Sequence, residues 1–280
     1  MIVFDGKVYT NLNSIAEKDI INIVYSSPVE ERVRVEARKI IFWEEHYFRI
    51  MASLRILRME IPMLFTMEYL EEQILNLLKE KELDQVSSIV SLSFFSKELV
   101  TRSNAVSPTS FLIKAHQVKT PKKVFSSSRS IDLFKDHYVV KGLYGSLEPS
   151  NARLRKLASV YVYENDLEDG ILLNNDKEVT ETLTGALFIV KGNEIKTPPS
   201  TSGCRLTVYR QIVIDLLQKS EGVNLVVEAV SPFELQKADE LFVVSLSEGI
   251  QSVKQYRKKV FSTEVSHKLF TKFITRYRLG

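Results

Sequence analysis

Cysteine is almost absent from this 280-residue chain: Cys204 stands alone, which excludes an intramolecular disulfide and any multi-cysteine metal site. Histidine is sparse as well, and His46, His116, His137 and His267 fall without metal-ligand spacing. No apolar run approaches the roughly eighteen residues of a membrane-spanning helix, and no basic segment followed by an apolar one opens the chain. Neither a transmembrane span nor a signal peptide is expected, and the expected location is the cytoplasm. An excess of one charge is missing too. The formal net charge is +3, basic residues are spread out apart from short clusters such as Lys258-Lys259, and no aromatic platform interleaves with them, which argues against a nucleic-acid partner. Internal repeats and low-complexity tracts are lacking.

What remains is an ordinary globular composition, 44% hydrophobic and 26% charged, long enough for two modest domains. Ile2-Val3-Phe4 and Lys7-Val8-Tyr9 flank Asp5-Gly6, a pair that tolerates positive φ, so residues 1–10 read as a β-hairpin. Residues 29–42 mix β-branched and charged types and suit a strand pair. Over 44–59, Phe48, Met51, Ala52, Arg55 and Ile56 recur at helical steps, and over 67–83 Leu70, Ile74, Leu77 and Leu78 share one face. Strands are expected at 86–95 and 110–114. A polar stretch containing Thr120-Pro121-Lys122-Lys123 and Ser126-Ser127-Ser128 breaks both periodicities. It divides the chain into an N-terminal domain 1–117, a linker 118–128 and a C-terminal domain 129–280.

The second half predicts a helix over 152–165, a short strand at 171–173 and a hairpin of 186–190 with 194–197 across Lys191-Gly192-Asn193. An amphipathic helix over 207–219, a strand over 224–230 and a buried strand over 241–246 follow. Ser231-Pro232-Phe233-Glu234 has the form of a capping box, and a basic helix from 263 closes the chain. The pattern is two mixed α/β domains.

Three stretches together resemble the class IV aminotransferases: branched-chain and D-amino acid aminotransferases and 4-amino-4-deoxychorismate lyase. The first is Glu45-His46-Tyr47-Phe48-Arg49-Ile50-Met51-Ala52-Ser53. The second is Val179-Thr180-Glu181, then Gly185-Ala186-Leu187-Phe188-Ile189-Val190-Lys191-Gly192 and Thr197-Pro198-Pro199. The third runs from Phe233-Glu234-Leu235 through Asp239-Glu240-Leu241-Phe242 to Gly249-Ile250-Gln251-Ser252-Val253. Their order and spacing cover nearly the whole chain.

The resemblance implies the two-domain fold of D-amino acid aminotransferase, with pyridoxal 5′-phosphate held between the domains of a homodimer. It makes Arg49 the phosphate-binding arginine, a role suited to a planar, always charged fork; a salt bridge to Glu45 one turn earlier is the plainer reading. It makes Glu181 the carboxylate that keeps the pyridine nitrogen protonated; an exposed charge at a strand end is its plainer reading. Val208, Tyr209, Ser245 and Leu246 stand at further cofactor-binding positions of the family.

The lysine that would form the Schiff base belongs three residues before an asparagine that begins a helix. Here the run is Tyr144-Gly145-Ser146-Leu147-Glu148-Pro149-Ser150-Asn151, which places Glu148 there. A carboxylate forms no imine. Other departures agree. Tyr25-Ser26-Ser27-Pro28-Val29-Glu30-Glu31-Arg32 lacks the glycine and aspartate of the matching family run, Ala186 replaces an asparagine, and Thr207-Val208-Tyr209 replaces the phosphate-cradling turn ahead of Arg210.

A degenerate, non-transaminating relative is therefore expected, without a cofactor, forming a homodimer or pairing with an intact paralogue. It would bind a small anion or a protein partner. Two alternatives stay open: an active pyridoxal-phosphate aminotransferase or lyase using a displaced lysine, first Lys141 and then Lys156, or acid–base chemistry by Glu148 and Glu181 as a carboxylate pair. Tyr209 is expected to crowd or plug the phosphate cradle. Cys204 is read as a partly buried small hydrophobe rather than a nucleophile.

Overall fold

A computed structural model of the chain describes residues 1–26, 28–97, 108–118, 125–126 and 129–279, apart from the side chains of Glu148 and Pro149. Most of the expected linker 118–128 thus lies outside the described residues. The chain divides into two compact units, Met1–Pro121 and Lys122–Leu279.

The first unit opens on the expected hairpin, β1 (Ile2–Phe4) and β2 (Lys7–Tyr9). Asp5 and Gly6 take φ of 46° and 80° between the paired Phe4 and Lys7, as a type I′ turn requires. Helix α1 (Glu17–Tyr25) follows, then β3 (Val29–Glu36), β4 (Lys39–Ile40), α2 (Trp43–Ile56), α3 (Met67–Glu80), β5 (Ser88–Ser96) and β6 (Thr109–Gln117). The strands form one antiparallel sheet in the order β2-β1-β6-β5-β3-β4. Alternate residues of β3 and β5 (Val33, Val35, Val90, Leu92, Phe94) turn inward against Ile50 and Leu54 of α2 and Leu70, Ile74, Leu77 and Leu78 of α3. The helical spacing read from the sequence is the spacing of this core.

The second unit comprises β7 (Arg129–Leu133), α4 (Ala152–Glu164), β8 (Asp169–Leu173), β9 (Val179–Thr182), β10 (Ala186–Lys191), β11 (Glu194–Thr197), α5 (Val208–Gln218), β12 (Asn224–Val227), α6 (Pro232–Lys237), β13 (Glu240–Ser245), β14 (Gly249–Tyr256), β15 (Lys259–Val260) and α7 (Glu264–Leu279). Its sheet runs β12-β11-β10-β13-β14-β7-β8-β9, with β15 attached to β14. Strand β13 is buried along its whole length and β10 along all but its last residue, which is why both read as continuous apolar runs. One face carries Leu187, Ile189, Leu241, Val243 and Val253 together with Leu235 of α6. Helices α5 and α7 pack against each other and reach β13 and β14. The capping box of α6 is present: the Ser231 hydroxyl accepts from Phe233 N, and the Glu234 carboxylate accepts from Ser231 N at 2.8 Å.

No helix among the described residues is long and apolar enough to cross a membrane. No group of His, Cys, Asp or Glu among them has metal-holding geometry.

Candidate functional site

In the second unit, β9 carries Glu181 into the interior, where the residue is 1% exposed. The plainer reading of an exposed strand-end charge is overturned. Two arginines hold the carboxylate from opposite sides. Arg155 of α4 donates to Oε1 from Nη2 at 2.8 Å and from Nε at 3.2 Å. Arg205 donates to Oε2 from Nε at 2.8 Å and from its backbone N–H at 3.0 Å. The Arg205 Nη2 also donates to the Thr182 and Leu183 carbonyls. Buried charge is tolerable only when paired and hydrogen-bonded in this way.

A carboxylate offers about four acceptor positions, and four N–H donors converge on this one.

Neither arginine was singled out in the sequence. For Arg155 a signal existed: Asn151, Arg155 and Ala158, at i, i+4 and i+7, are the buried positions at the start of α4, so the arginine sits on the stripe that faces inward. Arg205 precedes α5 in irregular backbone, where no periodicity speaks for burial.

The loop before α4 is fixed by its asparagine. Asn151 Oδ1 accepts from Val140 N at 3.2 Å and Nδ2 donates to the Gly145 carbonyl at 3.0 Å, stapling residues 140–145 to the helix start. The backbone is crowded there: a Cβ on Gly145 would lie 1.7 Å from the Val140 carbonyl oxygen, and one on Gly203, at φ +91°, would lie 2.2 Å from it. Position 148 begins a short 3₁₀ turn, Glu148–Asn151. The Glu148 side chain, and with it the idea of a Glu148–Glu181 acid–base pair, lies outside the described residues.

Lys141 is exposed and ion-paired. Its Nζ pairs with Asp176 and lies 3.4 Å from Glu178. The hydrogen bond to Asp176, with help from Glu178, raises its pKa above the ordinary lysine value. A Schiff-base lysine needs the opposite shift. Lys156 is exposed on α4, and no described lysine is buried.

Thr207 caps α5, its hydroxyl accepting from Arg210 N at 3.2 Å. Val208 and Tyr209 form the first turn and are buried. The Tyr209 ring packs against Phe273 of α7 with centroids 5.8 Å apart, so its position is explained by helix packing. Arg210 is buried and donates to the Pro198 carbonyl at 2.8 Å; burial lowers its pKa, opposed by Cys204 and Glu181. Cys204 is fully rather than partly buried, and burial pushes its thiol up to about 11, out of nucleophile range. The Ser245 hydroxyl, at the end of β13, accepts from Glu248 N at 3.3 Å, and Leu246 is half-buried beside it.

In the first unit Arg49 pairs with Glu31 of β3. The other oxygen of Glu31 accepts from His46 Nδ1 at 2.6 Å. Burial lowers the pKa of His46 to about 3, which leaves a neutral imidazole donating to a carboxylate that Arg49 already balances. One turn of α2 therefore presents His46 and Arg49 to a single acceptor on the neighbouring strand. Ser27 of the preceding run lies outside the described residues.

Against known proteins, residues 29–256 match the amino-transferase class IV family. A putative branched-chain-amino-acid aminotransferase of Methanocaldococcus jannaschii is 26% identical over 279 residues, 95% of each chain. The fold is shared with branched-chain amino acid aminotransferase from Thermobaculum terrenum in its PLP-form (TM-score 0.84, 17% identity, 100% of this chain and 94% of that one). It is also shared with a putative 4-amino-4-deoxychorismate lyase from Legionella pneumophila (TM-score 0.78, 20% identity, 94% and 95%). With a match spanning both sheets and the strand that carries Glu181, the chain belongs to the class IV aminotransferase family.

Proposed function

We propose that this chain is a non-transaminating member of its family, one that keeps the scaffold and has given up pyridoxal phosphate as a resident cofactor. The observation that carries the reading is the residue three places before Asn151, which is Glu148 and not lysine. A carboxylate has no lone-pair amine with which to capture an aldehyde. The surroundings support this. Lys141 is committed to Asp176 and Glu178, and both oxygens of Glu181 are already in use. These residues do not fit the cofactor.

In this reading the protein acts by binding, as a homodimer or as partner to an intact paralogue in the cytoplasm, with a small anion or another protein as its ligand. The test is spectroscopic. Purified protein mixed with pyridoxal phosphate is expected to show no aldimine band and no label on lysine after borohydride reduction. A band that vanishes on reduction, with the label mapped to a lysine of the folded protein, would overturn the proposal.

One specific observation favours a second reading, a working pyridoxal-phosphate aminotransferase of the branched-chain type: the name of the relative aligned over 95% of the chain. Transamination assays with branched-chain amino donors and several keto acids separate the two, since the proposal expects no turnover above a cofactor-only control.

A further inference from the structure

We infer that Arg205 is an internal ligand of Glu181 and blocks the site a second time, independently of Glu148. Two oxygens of one carboxylate receive four N–H donors, and Arg205 supplies both donors on Oε2, one from its side chain at 2.8 Å and one from its backbone at 3.0 Å. A protonated ring nitrogen approaching Glu181 would need an acceptor position that these donors fill. It would also bring a cation toward a carboxylate already flanked by two guanidinium groups. The Arg205 guanidinium is held on its far side by the Thr182 and Leu183 carbonyls, so it is fixed in place by three separate acceptors. The backbone N–H of residue 205 donates whatever its side chain, so only the guanidinium has to go for one acceptor position to open.

The inference deepens the proposed reading and rests on it for the role that position 148 once had. It differs in what it expects of a repaired protein. Restoring an amine by Glu148→Lys leaves Glu181 saturated, and uptake of pyridoxal phosphate should stay near that of the unaltered chain. Adding Arg205→Leu opens the 2.8 Å position.

Pyridoxal 5′-phosphate itself is the probe. Equilibrium dialysis measures uptake, and borohydride trapping with peptide mapping locates any label. Four proteins are compared: the unaltered chain, Glu148→Lys, Arg205→Leu and the double variant. The double variant is expected to bind at least about tenfold more tightly than Glu148→Lys, roughly the worth of one charge-assisted hydrogen bond, with label at position 148. If Arg205→Leu does not fold, Arg205→Met removes the charge and the donor while keeping a long unbranched side chain, and carries the same expectation. Stoichiometric labelling of Glu148→Lys alone overturns the inference and leaves the proposed function standing. Equal affinity of the single and double variants overturns it as well. Labelling of the unaltered chain defeats the proposed function instead.

Discussion

At the scale of single residues, Glu181 and His46 are buried ionisable groups whose replacement has a measurable consequence. Glu181 is enclosed with Arg155 and Arg205 against it. Glu181→Gln removes the negative charge and leaves guanidinium groups facing an amide. Breaking a buried pair from one side costs about 3–5 kcal/mol, so the urea midpoint is expected to fall clearly. An unchanged midpoint would mean that the arginines are satisfied without it.

His46 gives a pH prediction. Its folded pKa, about 3, lies below the ordinary 6.5, so between those values the unfolded chain binds a proton that the folded one refuses. Above pH 6.5 both states are neutral and the residue adds no slope. As pH falls below 6.5 the folded state loses ground, by about 2 kcal/mol on reaching pH 5. The other three histidines are exposed. Urea unfolding between pH 7.5 and 5 should show this slope, and His46→Gln should flatten it.

At the scale of elements, the C-terminal helix depends on one carboxylate from the sheet. Glu240, the first residue of β13, is fully buried and accepts from Val265 N at 3.0 Å and Ser266 N at 2.8 Å, two N–H groups in the first turn of α7. A helix N-terminus carries orphan donors and a positive end of its dipole, and a carboxylate answers both. Glu240→Ala is expected to cost about 3 kcal/mol, because it strands buried N–H groups. Hydrogen exchange in the first turn of α7 should rise with it.

Legibility followed period and burial. Helices α2, α3, α5 and α7 were readable because each buries one stripe, and the first hairpin because Asp5-Gly6 leaves few other options. Helix α1 was not expected: its Ile20 and Ile23 pack only partly, against a satellite cluster with Ile15, and the stripe is too short to stand out. Family spacing singles out Glu181 and Arg49 but not the groups they pair with. Glu31 and Arg155 sit at inward positions where charge is uncommon, and sequence spacing does not say which buried charges meet.

At the scale of the whole molecule, each unit has its own sheet and its own core, and the proposed assembly is a pair of chains. Light scattering on the eluting protein is expected to give twice the 32.1 kDa of one chain. A mass of one chain at micromolar concentration would remove the homodimer from the proposal and leave pairing with another protein to be sought.

The crowding of Gly145 and Gly203 on the Val140 carbonyl has a consequence for how such chains are recognised. A side chain at either position is refused by the backbone itself, whatever reaction the protein does or does not perform. Those glycines, and the asparagine that ties the same loop, are dictated by shape. A comparison that draws its strength from such positions reads the path of the backbone and not the chemistry carried out beside it.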